Sequence, residues 1–134
     1  GLNGKMGFID KTDSVVIPLM YDWADFFIEG LAKVRLNYKW GYIDKTGKVV
    51  IPLKYDFAHE FPNGLIRVTI NGKSGFIDQA GNELVPVKYS VDKAIQKLNK
   101  FLNKNGLMLA ITNGKLGIVD QNRGRLYSDK IFLR

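Results

Sequence analysis

The sequence predicts an all-β repeat protein assembled from three-stranded antiparallel meanders. Three observations lead there. One phrase is written four times, as KMGFID at 5–10, KWGYID at 39–44, KSGFID at 73–78 and KLGIVD at 115–120. The phrases begin at Lys5, Lys39, Lys73 and Lys115, so they are spaced by 34, 34 and 42 residues, and a fixed period in this range marks a repeat architecture. Other positions keep the same step: Pro18, Pro52 and Pro86, then Tyr21, Tyr55 and Tyr89, then Gly30-Leu31, Gly64-Leu65 and Gly106-Leu107. The repeats run over 5–38, 39–72 and 73–114, with a partial fourth at 115–134, in a single domain spanning 1–134. Stacked repeats bury faces that none could bury alone. An open, curved array is expected, with a propeller-like ring as the alternative.

The first strand of each repeat, typified by Leu65 to Ile70, ends at Asn-Gly, found at 3–4, 71–72 and 113–114. That dipeptide suits a type I′ two-residue hairpin, whose two central positions need positive φ. Asn37-Tyr38 is the exception, and implies either strain at Tyr38 or another turn. The second strand is the repeated phrase. Its closing Asp (Asp10, Asp44, Asp78 and Asp120) opens a second turn, such as Asp44-Lys45-Thr46-Gly47, where the carboxylate accepts local N–H groups and Gly takes the left-handed region. The third strand, Val49-Val50-Ile51, is expected to stop at Pro52, which has no N–H to donate. The fourth repeat has a longer turn and no Pro, so it is degenerate or cut short.

A two-residue turn at 37–38 sets Arg35 opposite Trp40, Val34 opposite Gly41 and Lys33 opposite Tyr42. Side chains alternate along a strand, so Ala32, Val34, Leu36, Gly41 and Ile43 share the core face, with Gly41 making room for a neighbouring backbone or ring. The other face carries Lys33, Arg35, Trp40 and Tyr42, and in the next repeat Arg67, Thr69, Ser74 and Phe76. The segment from Pro52 to Gly64 holds Tyr55, Phe57, Ala58 and Phe61, too apolar for a solvated linker. It is expected to fold over an edge of its own sheet and seal it against the next repeat. The extra eight residues of the third repeat lie between Tyr89 and Gly106. Ala94, Ile95, Leu98, Phe101 and Leu102 fall there at helical spacing, with Ser90 as N-cap and Asn105-Gly106 as the stop. The sequence therefore places one short inserted helix at 91–104.

Composition bounds the chemistry. Of 134 residues, 46% are apolar and 25% charged, which describes a globular chain. Lys and Arg number 20 against 13 Asp and Glu, a net +7. That balance favours an anionic partner, although solubility alone accounts for many basic domains. The absence of cysteine excludes disulfides, thiolate metal sites and a Cys nucleophile. No run reaches the length of a membrane span. The chain opens on Gly1-Leu2-Asn3-Gly4, which matches the end of a repeat, and it reads as a fragment of a longer or processed chain.

With KWGYIDKTGKVVIPLKYDFAHEF and the following NGL laid out, and weaker echoes before and after, the chain resembles the WG, or KWG, repeat family. The Trp of that name stands only at Trp40; Met6, Ser74 and Leu116 hold its slot elsewhere. The resemblance covers nearly the whole chain. It implies a β-rich bacterial repeat module, often within longer or secreted chains, which points to a secreted or cell-envelope setting. It brings no catalytic residue to transfer.

The candidate sites divide accordingly. The four aligned Asp residues could be imagined as metal ligands or paired acids, but a local turn role explains each copy. His59, the lone histidine, has no second His or Cys beside it. Asp22, Asp25, Asp56 and Glu60 are loop carboxylates that could serve a glycosidase if suitably separated. Lys33, Arg35, Trp40 and Tyr42 interleave cations with aromatics, a composition that holds single-stranded nucleic acid or sugars, or that packs by cation–π contact against the next repeat. Val50, on that face beside Tyr42, argues for burial. Lys93, Lys97, Lys100 and Lys104 follow steps of 4, 3 and 4 and line one stripe of the helix. The stripe could dock an anionic surface or simply be the solvated flank of a packed helix. No cofactor or specific small molecule is implied. The sequence points to a non-catalytic binding or scaffold module that contacts protein or an anionic polymer, with a hydrolase using loop carboxylates as the alternative.

Overall fold

The computed structural model describes residues 4–9 and 15–131. The turn expected at Asp10 and the opening Gly1-Leu2-Asn3 lie outside the described residues. The chain divides into two compact lobes, one up to Phe57 and one from Ala58. In the first, β1 (Met6–Ile9) pairs with β2 (Val15–Tyr21), and β3 (Trp23–Ala24), β4 (Leu31–Leu36), β5 (Lys39–Asp44) and β6 (Val49–Tyr55) form a sheet in that order. The next sheet is β7 (Phe57–Glu60), which begins on the last residue of the first lobe, β8 (Ile66–Ile70), β9 (Lys73–Ile77) and β10 (Glu83–Tyr89), followed by helix α1 (Val91–Lys104). A last sheet follows, of β11 (Leu107–Thr112), β12 (Lys115–Asp120) and β13 (Arg125–Leu126). All resolved pairings are antiparallel. No helix among the described residues is long and apolar enough to cross a membrane.

The three-strand meander is present in each of the two middle repeats, with a fourth strand added. The hairpin turns are those the Asn-Gly pairs dictate: Asn71 and Gly72 sit at φ 51° and 76°, Asn113 and Gly114 at 52° and 77°. Asn37-Tyr38 makes the same turn, with Tyr38 at φ 67°. The expected pairings hold, with Arg35 opposite Trp40, Val34 opposite Gly41 and Lys33 opposite Tyr42. Ala32, Val34 and Ile43 are fully buried and pack on Ile17 and Tyr21 of β2.

Two expectations are corrected. The third strand does not stop at its proline: β6 continues through Pro52 to Tyr55. Ile51 pairs with Tyr42 and Tyr55 with Trp40, so Pro52-Leu53-Lys54 bulge out opposite the single residue Gly41. Pro86-Val87-Lys88 do the same opposite Gly75, and Pro18-Leu19-Met20 opposite Gly7. A bulge is one of the few places in a ladder where a missing N–H costs nothing. The long loop, moreover, does not cap its own sheet. Its residues Phe57–Glu60 form β7, the edge strand beside β8 in the following repeat's sheet, as β3 does beside β4.

Helix α1 occupies the span read from its periodicity. The Ser90 hydroxyl accepts the Lys93 N–H at 3.3 Å, Asp92 stands in the first turn and Lys104 in the last, and Gly106 leaves the helix at φ 73°. Those charges complement the helix dipole. Ala94, Leu98 and Leu102 are fully buried against Leu65, Phe76, Leu107 and Ile118. Burial of each leucine contributes about 1.5–3 kcal/mol.

The bulges explain the repeated glycine. A Cβ on Gly75 would lie 2.5 Å from the Val85 carbonyl oxygen and 2.7 Å from the Pro86 carbonyl carbon; one on Gly41 would lie 2.5 Å from the Ile51 oxygen. Gly117, in the repeat without proline, meets only the end of the Leu126 side chain at 3.0 Å. Gly41→Ala and Gly75→Ala are each expected to destabilise by about 1–3 kcal/mol, and Gly117→Ala by less than about 1 kcal/mol. Urea unfolding of the three variants checks the order, and equal losses would refute the bulge as the cause.

Candidate functional site

The first candidate surface belongs to the first lobe. Arg35 and Lys33 on β4 stand opposite Trp40 and Tyr42 on β5. The Lys33 ammonium lies 5.2 Å from the Trp40 ring centre, and the Arg35 guanidinium 5.8 Å from that ring and 5.1 Å from the Tyr38 ring. These are cation–π distances, made inside one sheet. Tyr42 is only 3% exposed, so of the four it offers no surface. Lys33, Arg35 and Trp40 are half-buried. The structure adds two residues that sequence reasoning left out of the site. Trp23 on β3 stands opposite Arg35 and is 46% exposed; Tyr38 is 78% exposed. The signals were available: Trp23 and Trp40 are the only tryptophans, and Tyr38 replaces a repeated glycine. The corresponding face of the next sheet differs. There Ser74 and Phe76 are fully buried, the Ser74 hydroxyl lies 3.1 Å from that of Thr69, and Phe76 packs under α1.

The loop carboxylates have local partners. Asp22 pairs with Lys5 and accepts the Asn37 N–H at 2.9 Å. Asp56 pairs with Lys39, the same couple one repeat later. Asp25 accepts the Trp23 indole N–H at 2.6 Å and lies 3.9 Å from the Lys33 ammonium. His59 packs edge-on against Phe61, ring centres 5.1 Å apart. The turn carboxylates act as expected. Asp44 accepts from the Thr46 N–H and hydroxyl and from the Lys48 N–H. Asp78, fully buried, accepts from the Ala80 and Asn82 N–H groups, both at 2.9 Å, and from the Asn82 side-chain amide at 3.1 Å. Asp120 accepts from the Asn122 and Arg123 N–H groups.

The second surface is in the second lobe. Lys93, Lys100 and Lys104 are exposed along one flank of α1. Lys97 is half-buried, its ammonium 5.6 Å from the Tyr89 ring, and Lys88 from β10 reaches the same ring at 5.5 Å. Among the described residues none of these five lysines has an acidic partner.

Against known families, the WG containing repeat matches twice, over residues 6–40 and 40–73, which together span just over half of the chain. No curated protein and no solved structure matches the chain.

Two outcomes follow from the carboxylates. Asp78→Ala removes a buried acceptor of three hydrogen bonds and is expected to cost about 1–3 kcal/mol, read by thermal or urea unfolding; a neutral result would remove the turn role. Asp22 and Asp44 lie below the ordinary carboxylate range, Asp22 chiefly through the Lys5 hydrogen bond and then the Asn37 N–H, Asp44 chiefly through the Thr46 hydroxyl. A folded-state value below the unfolded one contributes stability above about pH 4, lost as pH falls through the folded value. Asp44→Asn should therefore flatten the loss of stability on acidification. Parallel acid limbs for wild type and variant would show that this turn bond is not a source of it.

Proposed function

This chain belongs to the WG repeat family, and from that premise we propose a non-catalytic binding module that docks an anionic polymer on the lysine-bearing flank of α1. One observation supports the reading above the others: Lys88, Lys93, Lys97, Lys100 and Lys104 gather on one surface without an acidic partner among the described residues. Like charges three and four residues apart on a helix repel by a few tenths of a kcal/mol per pair. The packing of α1 does not call for them, because it is made by Ala94, Leu98 and Leu102. A polyanion laid along the flank relieves the repulsion and releases its own counterions. The net charge of +7 draws such a partner in from a distance. The non-catalytic part of the reading is supported by the carboxylates: Asp22, Asp25 and Asp56 each hold a lysine, and Asp44, Asp78 and Asp120 each hold a turn.

Changing Lys93, Lys97, Lys100 and Lys104 together to Gln keeps helix propensity nearly level and leaves the buried stripe untouched. Heparin and a single-stranded oligonucleotide, followed by fluorescence anisotropy, are expected to bind the parent at low salt. Binding should weaken steeply as the Debye length falls from about 30 Å at 0.01 M to about 8 Å at 0.15 M. The Gln variant should lose most of that affinity. If it binds as well as the parent at low salt, the flank is a solvated face and the proposal fails.

A further inference from the structure

Immediately before the repeated phrase stand Gly4, Tyr38, Gly72 and Gly114, the last three each the second residue of a two-residue turn between the first and second strands. Their φ values are 76°, 67°, 76° and 77°. The left-handed region is open to glycine and strained for a bulky side chain. Tyr38 gains no burial in compensation, since it is 78% exposed. An exposed aromatic kept at a strained backbone position is the kind of outlier from which a functional role is argued.

What surrounds Tyr38 gives that role a chemistry. The Arg35 guanidinium lies within cation–π reach of two aromatic rings, 5.1 Å from Tyr38 and 5.8 Å from Trp40. Trp23 stands opposite Arg35 on the next strand, so the chain's two tryptophans flank Arg35 across three adjacent strands. Their backbones are roughly 9–10 Å apart, two strand spacings. The Trp23 N–H is tied to Asp25 at 2.6 Å, which fixes the indole edge while the ring remains 46% exposed.

Charge separates the possible ligands. Three of the cations near this surface are matched by carboxylates: Lys5 by Asp22, Lys33 by Asp25, Lys39 by Asp56. Arg35, the cation held among the rings, has no carboxylate of its own in that set. Polyanion binding draws on a surplus of unpaired cations: five lysines on and beside α1 lack an acidic partner among the described residues, whereas three of the four cations named here are matched. We infer that the surface of Trp23, Tyr38 and Arg35 binds a neutral polysaccharide. The C–H groups on the face of a pyranose ring carry partial positive charge and stack on the electron-rich faces of Trp23 and Tyr38. Sugar hydroxyls both donate and accept, and the surface offers both functions, a carboxylate acceptor (Asp25) just past β3 and a guanidinium donor (Arg35) on β4. Trp40, half-buried, is a positioning residue that holds Arg35 by its ring.

The test uses the whole chain and its own fluorescence, because Trp23 and Trp40 are its only tryptophans. Emission is recorded while cellohexaose, xylohexaose, chitohexaose and maltohexaose are added in turn. At least one should change emission saturably, with an affinity that varies less than about twofold between 0.01 M and 0.15 M salt. Trp23→Ala should weaken it by about tenfold or more. Tyr38→Gly relieves the turn, so it should raise the melting temperature and yet weaken binding by about tenfold, an outcome that loss of fold cannot imitate. The quadruple Gln variant of α1 should bind the sugar unchanged, which keeps this inference separate from the polyanion reading. The inference is overturned if none of the four sugars shifts the emission, or if Tyr38→Gly binds as tightly as the parent. It is also overturned if emission responds only to single-stranded oligothymidylate and that response collapses with salt, which would make the surface a nucleic-acid site.

Discussion

At Gly41 and Gly75 the third strand of a repeat lies against the second with no room for a methyl group between them: a Cβ would stand 2.5 Å from a carbonyl oxygen. That close approach is the bulge in which Pro52 or Pro86 stands, and it governs the rest of the repeat. The proline needs no ladder partner there. Beyond it the strand resumes far enough to bring Tyr55 opposite Trp40 and Tyr89 opposite Ser74. In the first two repeats the residue after that tyrosine, Asp22 or Asp56, then meets the lysine that opens the phrase. The chain next lays down a short strand at the edge of the following sheet. The fourth repeat shows the converse. It has Gly117 but no proline, no backbone close to that glycine, and a third strand of only two residues, Arg125–Leu126.

The same feature marks the limit of what the sequence made legible. Turns and pairings were readable because Asn-Gly fixes the hairpin, and the hairpin fixes which residues face each other; every β4–β5 pair follows from Asn37-Tyr38 being a two-residue turn. Helix α1 was readable because its caps and its apolar period agree. Pro52 was misread because proline as a ladder terminator and proline in a bulge have the same local sequence, and only the opposing Gly41 distinguishes them. Strands β3 and β7 were missed for a different reason. Trp23-Ala24 is too short to show alternation, and Phe57–Glu60 joins a sheet whose other strands come later in the chain. With β3 unseen, Trp23 could not be placed beside Arg35. The mixed face was therefore legible in its β4 and β5 members and not in its most exposed tryptophan.

The third repeat shows how one slot can be given new work without disturbing the frame. Where the first two repeats have Asp22 and Asp56, it has Ser90. A serine cannot hold Lys73 as the aspartates hold Lys5 and Lys39, but it can accept the N–H of Lys93 and start a helix. The helix then covers Phe76, whose counterpart in the second repeat is Tyr42. Position 74 follows suit. In the slot of Trp40 there is a small hydroxyl, buried and within 3.1 Å of Thr69. In this chain the tryptophan slot holds Trp40 where the sheet face is half-buried and Ser74 where that face is fully buried.

A repeat protein separates residues that make the frame from residues that are free to differ, and function is to be sought among the second. The glycine and turn aspartate of the phrase are frame: Gly41 and Gly75 lie at a close backbone approach, and Asp44, Asp78 and Asp120 accept turn N–H groups. Drift alone accounts for a departure from the frame that costs the fold nothing. Tyr38 and the α1 lysines differ from drift in a physical respect. Drift removes strain and like-charge repulsion when nothing opposes it, since glycine at 38 or a glutamate among Lys93, Lys97, Lys100 and Lys104 would be easier on the isolated fold. Both positions hold the harder choice on an accessible surface, one rich in aromatic rings with matched charge and the other rich in unmatched lysine. On the two readings proposed above, surfaces of such different chemistry on one repetitive frame would take ligands that differ in kind, the first through ring faces and hydroxyls, the second through charge.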